Sequence, residues 1–180
     1  MKREIIVAGF GGQGVMSIGK TLVQAGMEEG LEVTWVPSYG PEMRGGTANC
    51  SVILSSVPIG SPVISHPTEL IAMNTPSLDK FAHTVAPGGI IFINGEAPVP
   101  QELAREVKVV CVPCSQIALE LGSPKVSNMV MLGAYVGATG ALEPETLRAM
   151  LCRKYTGPKA KHLERNLAAL EQGLACGKKI

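Results

Sequence analysis

Apolar positions fall in two rhythms along the chain. Short runs rich in β-branched residues, bounded by glycine, proline or polar residues, occur at Ile5 to Ala8, Leu31 to Ser38, Ala48 to Ser55, Glu69 to Asn74, Ile90 to Asn94 and Val107 to Pro113; such runs predict strands. Elsewhere the period lengthens to that of a helix. Val15, Ile18, Leu22 and Ala25 share one face, and Leu78, Phe81, Ala82 and Val85 share another. Thr75 is placed to cap that second helix, with Pro76 in its first turn and Gly88 and Gly89 beyond its end. After Pro113 the pattern is helical: Ser115 to Gly122, a glycine-dotted segment from Val126, Glu143 to Tyr155, and a last helix with Leu163, Leu167, Leu170 and Leu174 on one side.

The alternation predicts an α/β fold: a doubly wound, mostly parallel sheet flanked by helices, with a helical C-terminal layer. The strands from Leu31 and Ala48 strain that scheme. About ten residues without a helix join them, so they are antiparallel neighbours or one is an edge strand. With 180 residues, no internal repeat and no linker, residues 1–180 read as one domain. Gly133, Gly137 and Gly140 let their segment press against another backbone, in the core or at an oligomer contact.

Composition narrows the partners. Apolar residues make up 46% and aromatics 4%, so the core is aliphatic and little is left for base stacking. A formal net charge of +1 carries no nucleic-acid footprint. The N-terminus meets glycines too soon for a signal-peptide core, and the longest apolar stretch, Met129 to Leu142, falls short of the roughly 18 residues a membrane span needs. A cytoplasmic protein with no membrane contact is expected, its five cysteines reduced rather than paired.

Two glycine-rich stretches hold the candidate chemistry. In "GFGGQG", Gly9, Gly11 and Gly14 satisfy G-x-G-x-x-G between a predicted strand and a predicted helix. Glycines there permit a tight turn and close approach of a ligand, and free amides at a helix start attract phosphate. A dinucleotide fold also wants an acid at the end of its second strand; this chain has Trp35, Val36, Pro37 and Ser38 there, with Glu32 at the wrong end. Binding of NAD or FAD and a turn that only packs helix on sheet both stay open. The second stretch, "PSYGPEMRGGTANC", shapes a loop from Ser38 to Thr47. Pro41 fixes one dihedral while Gly40, Gly45 and Gly46 free theirs, and Tyr39, Glu42, Met43 and Arg44 are presented from it. It is either a surface loop with an internal Glu42–Arg44 pair or a contact surface, since Tyr, Met and Arg are enriched at interface cores.

These two stretches, followed by "PSLDKF" (Pro76 to Phe81) and "VSNMVMLGA" (Val126 to Ala134), resemble the gamma subunit of 2-oxoacid:ferredoxin oxidoreductases. The resemblance implies one component of a complex that oxidatively decarboxylates a 2-oxoacid to its acyl-CoA and passes electrons to ferredoxin. Alpha, beta and ferredoxin-like delta subunits would be its partners, and thiamine diphosphate, Mg and iron-sulfur clusters would sit in them. By the same resemblance this chain helps hold CoA: Gly9, Gly11, Gly12, Gln13, Gly14 and Val15 form the turn that takes its phosphates, helped by Lys20. The loop from Ser38 to Thr47 meets the alpha and beta subunits or the CoA tail, with Arg44 as anchor and Glu42 orienting it; the isolated chain then covers part of that surface by self-association or leaves it mobile. The form "EMRGGTANC" leans, by resemblance, toward 2-oxoglutarate or a branched-chain oxoacid over pyruvate. No metal and no tightly bound cofactor is expected on the chain itself, and no catalytic residue is assigned to it.

Other features carry less. Cys111 and Cys114 in "CVPC" have dithiol spacing before a predicted helix, where a thiolate is favoured, yet two separate, partly buried thiols fit as well. His66, His83 and His162 are scattered and read as surface or capping residues. Ser17 lies inside the first helix, and the basic run from Arg153 to Arg165 reads as a solvated helix start or a steering patch for ferredoxin.

Overall fold

The computed structural model describes residues 1–38, 47–97 and 101–179. Its elements run β1 (Lys2–Phe10), α1 (Val15–Glu28), β2 (Glu32–Ser38), β3 (Thr47–Ser55), β4 (Glu69–Ala72), α2 (Thr75–Phe81), β5 (Ile90–Asn94), α3 (Gln101–Glu106), β6 (Lys108–Val112), α4 (Cys114–Glu120), α5 (Ser127–Thr139), α6 (Pro144–Lys154) and α7 (Leu163–Gly177). Six strands form one sheet in the order β2-β3-β1-β4-β5-β6.

The sheet has two halves. From β1 through β4 and β5 to β6 every pairing is parallel, as the alternation of strand and helix predicts. On the other side β3 runs antiparallel to both β1 and β2, which makes β2 the edge strand. Both outcomes foreseen for the helix-free connection are therefore realised, and the fold is α/β with a mixed rather than uniformly parallel sheet.

Alternate residues of each strand enter opposite cores, which is why the central strands are apolar throughout. Ile5 and Val7 of β1, Cys50, Val52 and Leu54 of β3 and Val110 and Val112 of β6 face a large cluster covered by α1, α4, α5, α6 and α7. Ile6, Ala8, Leu70, Ala72, Ile91 and Ile93 face a smaller one covered by α2 and α3. The thick layer holds α5, in which Asn128 through Val136 are all buried, confirming the apolar segment as a core helix.

Helix α5 lies against α7 through glycine. A Cβ on Gly133 or Gly137 would meet the carbonyl oxygen of Leu170 or Leu174, and one on Gly173 or Gly177 would meet that of Val130 or Ala134. Gly133 and Gly137 are thus core contacts within the chain. Gly140 has a different task, ending α5 as its left-handed C-cap at φ 58°.

Two local expectations are corrected. The cap of α2 is Asn74, whose Oδ1 accepts from the Ser77 amide at 2.9 Å; Thr75 is the first helical residue. Helix α3 has no counterpart in the apolar pattern, because six residues give too short a window for a period to show. Among the described residues no helix is long and apolar enough to cross a membrane.

Candidate functional site

The chain leaves β1 on one face of the sheet through α1 and leaves the adjacent β4 on the other through α2. Between strands whose connections part in this way, a crevice opens outside their carboxyl ends, where α/β sheets place ligands. The glycine turn occupies it. Gly12 and Gly14 adopt φ of 95° and 77°, in the left-handed region that favours glycine, and a Cβ on Gly12 would meet nothing within 4 Å. Gly9 is required for a different reason: a Cβ there would crowd Val15, Gln13 and Met73.

Gln13 locks the turn. Its Oε1 accepts from the Phe10 amide at 2.7 Å and from Asn74 Nδ2 at 2.8 Å, while its Nε2 donates to the Met73 carbonyl at 3.0 Å. Both polar atoms of the carboxamide are engaged inside the protein, so Gln13 shapes the turn. Asn94 continues the belt, donating from Nδ2 to the Met73 carbonyl at 3.3 Å and to Ser115 Oγ at 2.9 Å, and accepting from the Ser115 amide. Side chains from the ends of β1, β4 and β5 and the start of α4 are thereby tied along one edge of the sheet. A cavity of about 460 Å³ lies at its far end, lined by Asn94, Glu96, Cys111 and Ser115 among others.

The start of α1 has amides without a side-chain cap, the kind of group that attracts anions. Its first bond runs from the Ile18 amide to the Gly14 carbonyl at 3.0 Å. The amides of Val15, Met16 and Ser17 lie ahead of that bond, at the positive end of a helix of 14 residues. Lys20, expected to help, stands more than a turn further along; its Nζ lies 5.0 Å from the Trp35 ring centroid, and it lines a cavity of about 800 Å³ shared with Met16, Ser17, Met150, Arg153 and Lys154. The structure brings Gly9, Gly11, Gly12, Gln13, Gly14 and Val15 together and sets Lys20 apart on the flank.

Of the second stretch, Tyr39 to Gly46 lie outside the described residues. Its flanks are informative. Ser38 ends β2 and Thr47 begins β3, where Thr47 pairs with Phe10. The loop therefore springs from the sheet edge that carries the glycine turn.

A dinucleotide loses its geometric basis. The strand beside β1 on this side is the antiparallel β3, and β2 lies one strand further out, ending in the exposed Ser38 with Glu32 at its start. The dithiol reading is corrected too. Cys111 is exposed on β6 while Cys114 is buried at the start of α4, and burial pushes its thiol up, against thiolate formation. His66, His83 and His162 are exposed, and Arg153 pairs with Glu28. Ser17 is inside α1. No three His, Cys, Asp or Glu side chains converge on a point suited to a metal among the described residues, and with Cys50 and Cys114 buried apart from the exposed Cys111 and Cys152 the thiols do not offer the set an iron-sulfur cluster needs.

Sequence reasoning missed Asn74, Asn94 and Asn128, each 8% exposed or only partly buried at this edge. Asn128 left a signal, a lone amide in an otherwise apolar run.

Comparison with known proteins agrees with this geometry. The family model described as "Pyruvate ferredoxin/flavodoxin oxidoreductase" matches residues 4–176. The ketoisovalerate oxidoreductase subunit VorA of Methanothermobacter thermautotrophicus is 43% identical over 172 residues, covering 94% of this chain and 35% of its own. A 2-oxoglutarate:ferredoxin oxidoreductase from Magnetococcus marinus, solved with 2-oxoglutarate, coenzyme A and succinyl-CoA bound, superposes with a TM-score of 0.90 at 29% identity, over 99% of this chain and 31% of that one. A keto/oxoacid ferredoxin oxidoreductase gamma subunit from Geobacter sulfurreducens matches at TM-score 0.80 and 26% identity over 99% of both chains. The chain spans about a third of the length of the first two.

Proposed function

The chain belongs to the pyruvate ferredoxin/flavodoxin oxidoreductase family, and we propose that it works as the gamma component of a 2-oxoacid:ferredoxin oxidoreductase, holding coenzyme A at the glycine turn. The reaction converts a 2-oxoacid, CoA thiol and two oxidised ferredoxins to acyl-CoA, CO2, two reduced ferredoxins and a proton. Thiamine diphosphate, where a partner chain binds it, supplies the carbanion chemistry of decarboxylation. The alpha, beta and delta partners carry that group, Mg and the clusters, for which this chain's described residues offer no ligand set.

The observation that carries the reading is the uncapped first turn of α1, opening beside left-handed Gly12 and Gly14 at the parting of β1 and β4. CoA brings phosphates to such amides and asks for no acidic ribose partner. Gln13 keeps the turn closed, and Gly12 leaves its approach open. The loop from Ser38 to Thr47, rooted at the same edge, meets the alpha and beta subunits, with Arg44 as anchor. The likeness to ketoisovalerate and 2-oxoglutarate enzymes favours those substrates over pyruvate.

The test is assembly of the complex with and without this chain, followed by 2-oxoacid- and CoA-dependent reduction of a viologen dye on ketoisovalerate, 2-oxoglutarate and pyruvate. Turnover should require the chain and rank pyruvate last. Equal rates and an equal KM for CoA in its absence would remove it from the reaction.

A further inference from the structure

Asn128 is 8% exposed, at the second position of α5, and its carboxamide lies against Gly14, where a Cβ would collide with it. No side chain or backbone group among the described residues hydrogen-bonds that carboxamide. Its oxygen and nitrogen still reach solvent at this edge, so the amide is open to a ligand that enters there. Helix α5, 13 residues long, likewise starts without a side-chain cap. The starts of α1 and α5, neither with a side-chain cap, therefore approach each other at Gly14 and Asn128, although a short 3-10 turn leads into α5 and the Ser127 amide is taken by the Pro124 carbonyl. Their positive ends repel unless an anion lies near both.

We propose that Asn128 is a ligand-binding residue, its Nδ2 donating to an oxygen of the same phosphate that the first-turn amides of α1 receive, so that one phosphoester is held between the starts of α1 and α5. The proposal rests on the reading of the glycine turn as the CoA phosphate site and adds a residue and a helix to it. It also accounts for Gly14 beyond its φ: only glycine leaves room for the amide at that point.

A neutral donor to an anion makes a sharp prediction about substitutions. Asn128→Asp keeps the shape but sets a carboxylate against the phosphate, whereas Asn128→Ala removes only the donor. For a phosphate, Asp must be worse than Ala; for an uncharged hydroxyl or amide of the ligand, the two would be alike. Calorimetric titration of the assembled complex with CoA should show affinity falling by about 100-fold for Asn128→Asp and about 10-fold for Asn128→Ala. Pantetheine, which lacks phosphate, should bind all three proteins alike.

A second measurement does not depend on variants that fold. In the wild-type chain labelled with 15N, added CoA should shift the Asn128 side-chain amide together with the backbone amides of Val15 to Ser17. Shifts at Val15 to Ser17 without one at Asn128 would overturn the assignment and leave the turn reading standing. Absence of shifts at both, with no CoA bound by the complex, would overturn both. Equal loss of CoA and pantetheine in Asn128→Asp would show a structural residue and end the proposal.

Discussion

Glu69 is 4% exposed on β4, with Arg3 Nη1 2.7 Å from one carboxylate oxygen and Thr68 Oγ1 2.9 Å from the other. Burial raises its pKa above the ordinary 4.5, and the Arg3 guanidinium offsets part of that rise. A carboxyl whose folded pKa is raised keeps its proton in the fold after the unfolded chain has lost it. Stability therefore falls as pH rises from about 4.5 through the folded value. Melting temperature followed from pH 4 upward should show that decline in the wild type and a flatter profile in Glu69→Gln, which has nothing to titrate. Gln should also lower stability at neutral pH, because Arg3 then lies half-buried without its anion. A wild-type profile that rises across this window would mean that pairing with Arg3 outweighs desolvation.

At the scale of elements, the seam between α5 and α7 is set by four glycines. In Gly173→Ala the new methyl falls on the Val130 carbonyl, part of the backbone, so the helices must move apart. A loss of about 1–3 kcal/mol is expected in urea denaturation, the usual cost of overpacking; a change below a few tenths would show that the seam yields freely. A second prediction concerns the loop between β2 and β3. If it meets partner chains, Arg44→Ala strips a charged anchor, weakening assembly by roughly 2–5 kcal/mol at a desolvated contact. Co-purification with the alpha and beta chains should drop while the melting temperature holds, and normal assembly would make the loop a connector.

What the sequence revealed divides along the same line. Strands and long helices were legible because burial imposes a period, as at Ile5 to Ala8 or Val15 to Ala25. Short elements without a period were not: α3 passed unseen, and the cap of α2 was displaced by one residue because Asn74 and Thr75 are both good capping types. The glycine turn could be read as a turn. That Gln13 locks it, that Lys20 turns toward Trp35 and that Asn128 reaches Gly14 depend on contacts between residues 60 or more apart or on side-chain direction, which no local pattern encodes.

For the whole molecule, the dispersed cysteines and the lack of a converging metal set among the described residues lead to a simple expectation. The isolated chain should be colourless and should turn over no 2-oxoacid, while the assembled complex should absorb in the visible and turn its 2-oxoacid over. Visible iron-sulfur absorption from the chain alone, or any turnover by it, would contradict the assignment of those groups to partner chains.

The seam of α5 and α7 also has a place in time. Strand β1 lies in the middle of the sheet, yet the core it enters is covered by Ala169, Leu170 and Leu174, among the last residues of this unit to leave the ribosome. Until α7 arrives, α5 lacks the glycine-lined bed that Gly173 and Gly177 provide. A half-made chain can thus form the turn before α5 is fully seated, and the layer behind the proposed ligand site is closed late, by α7.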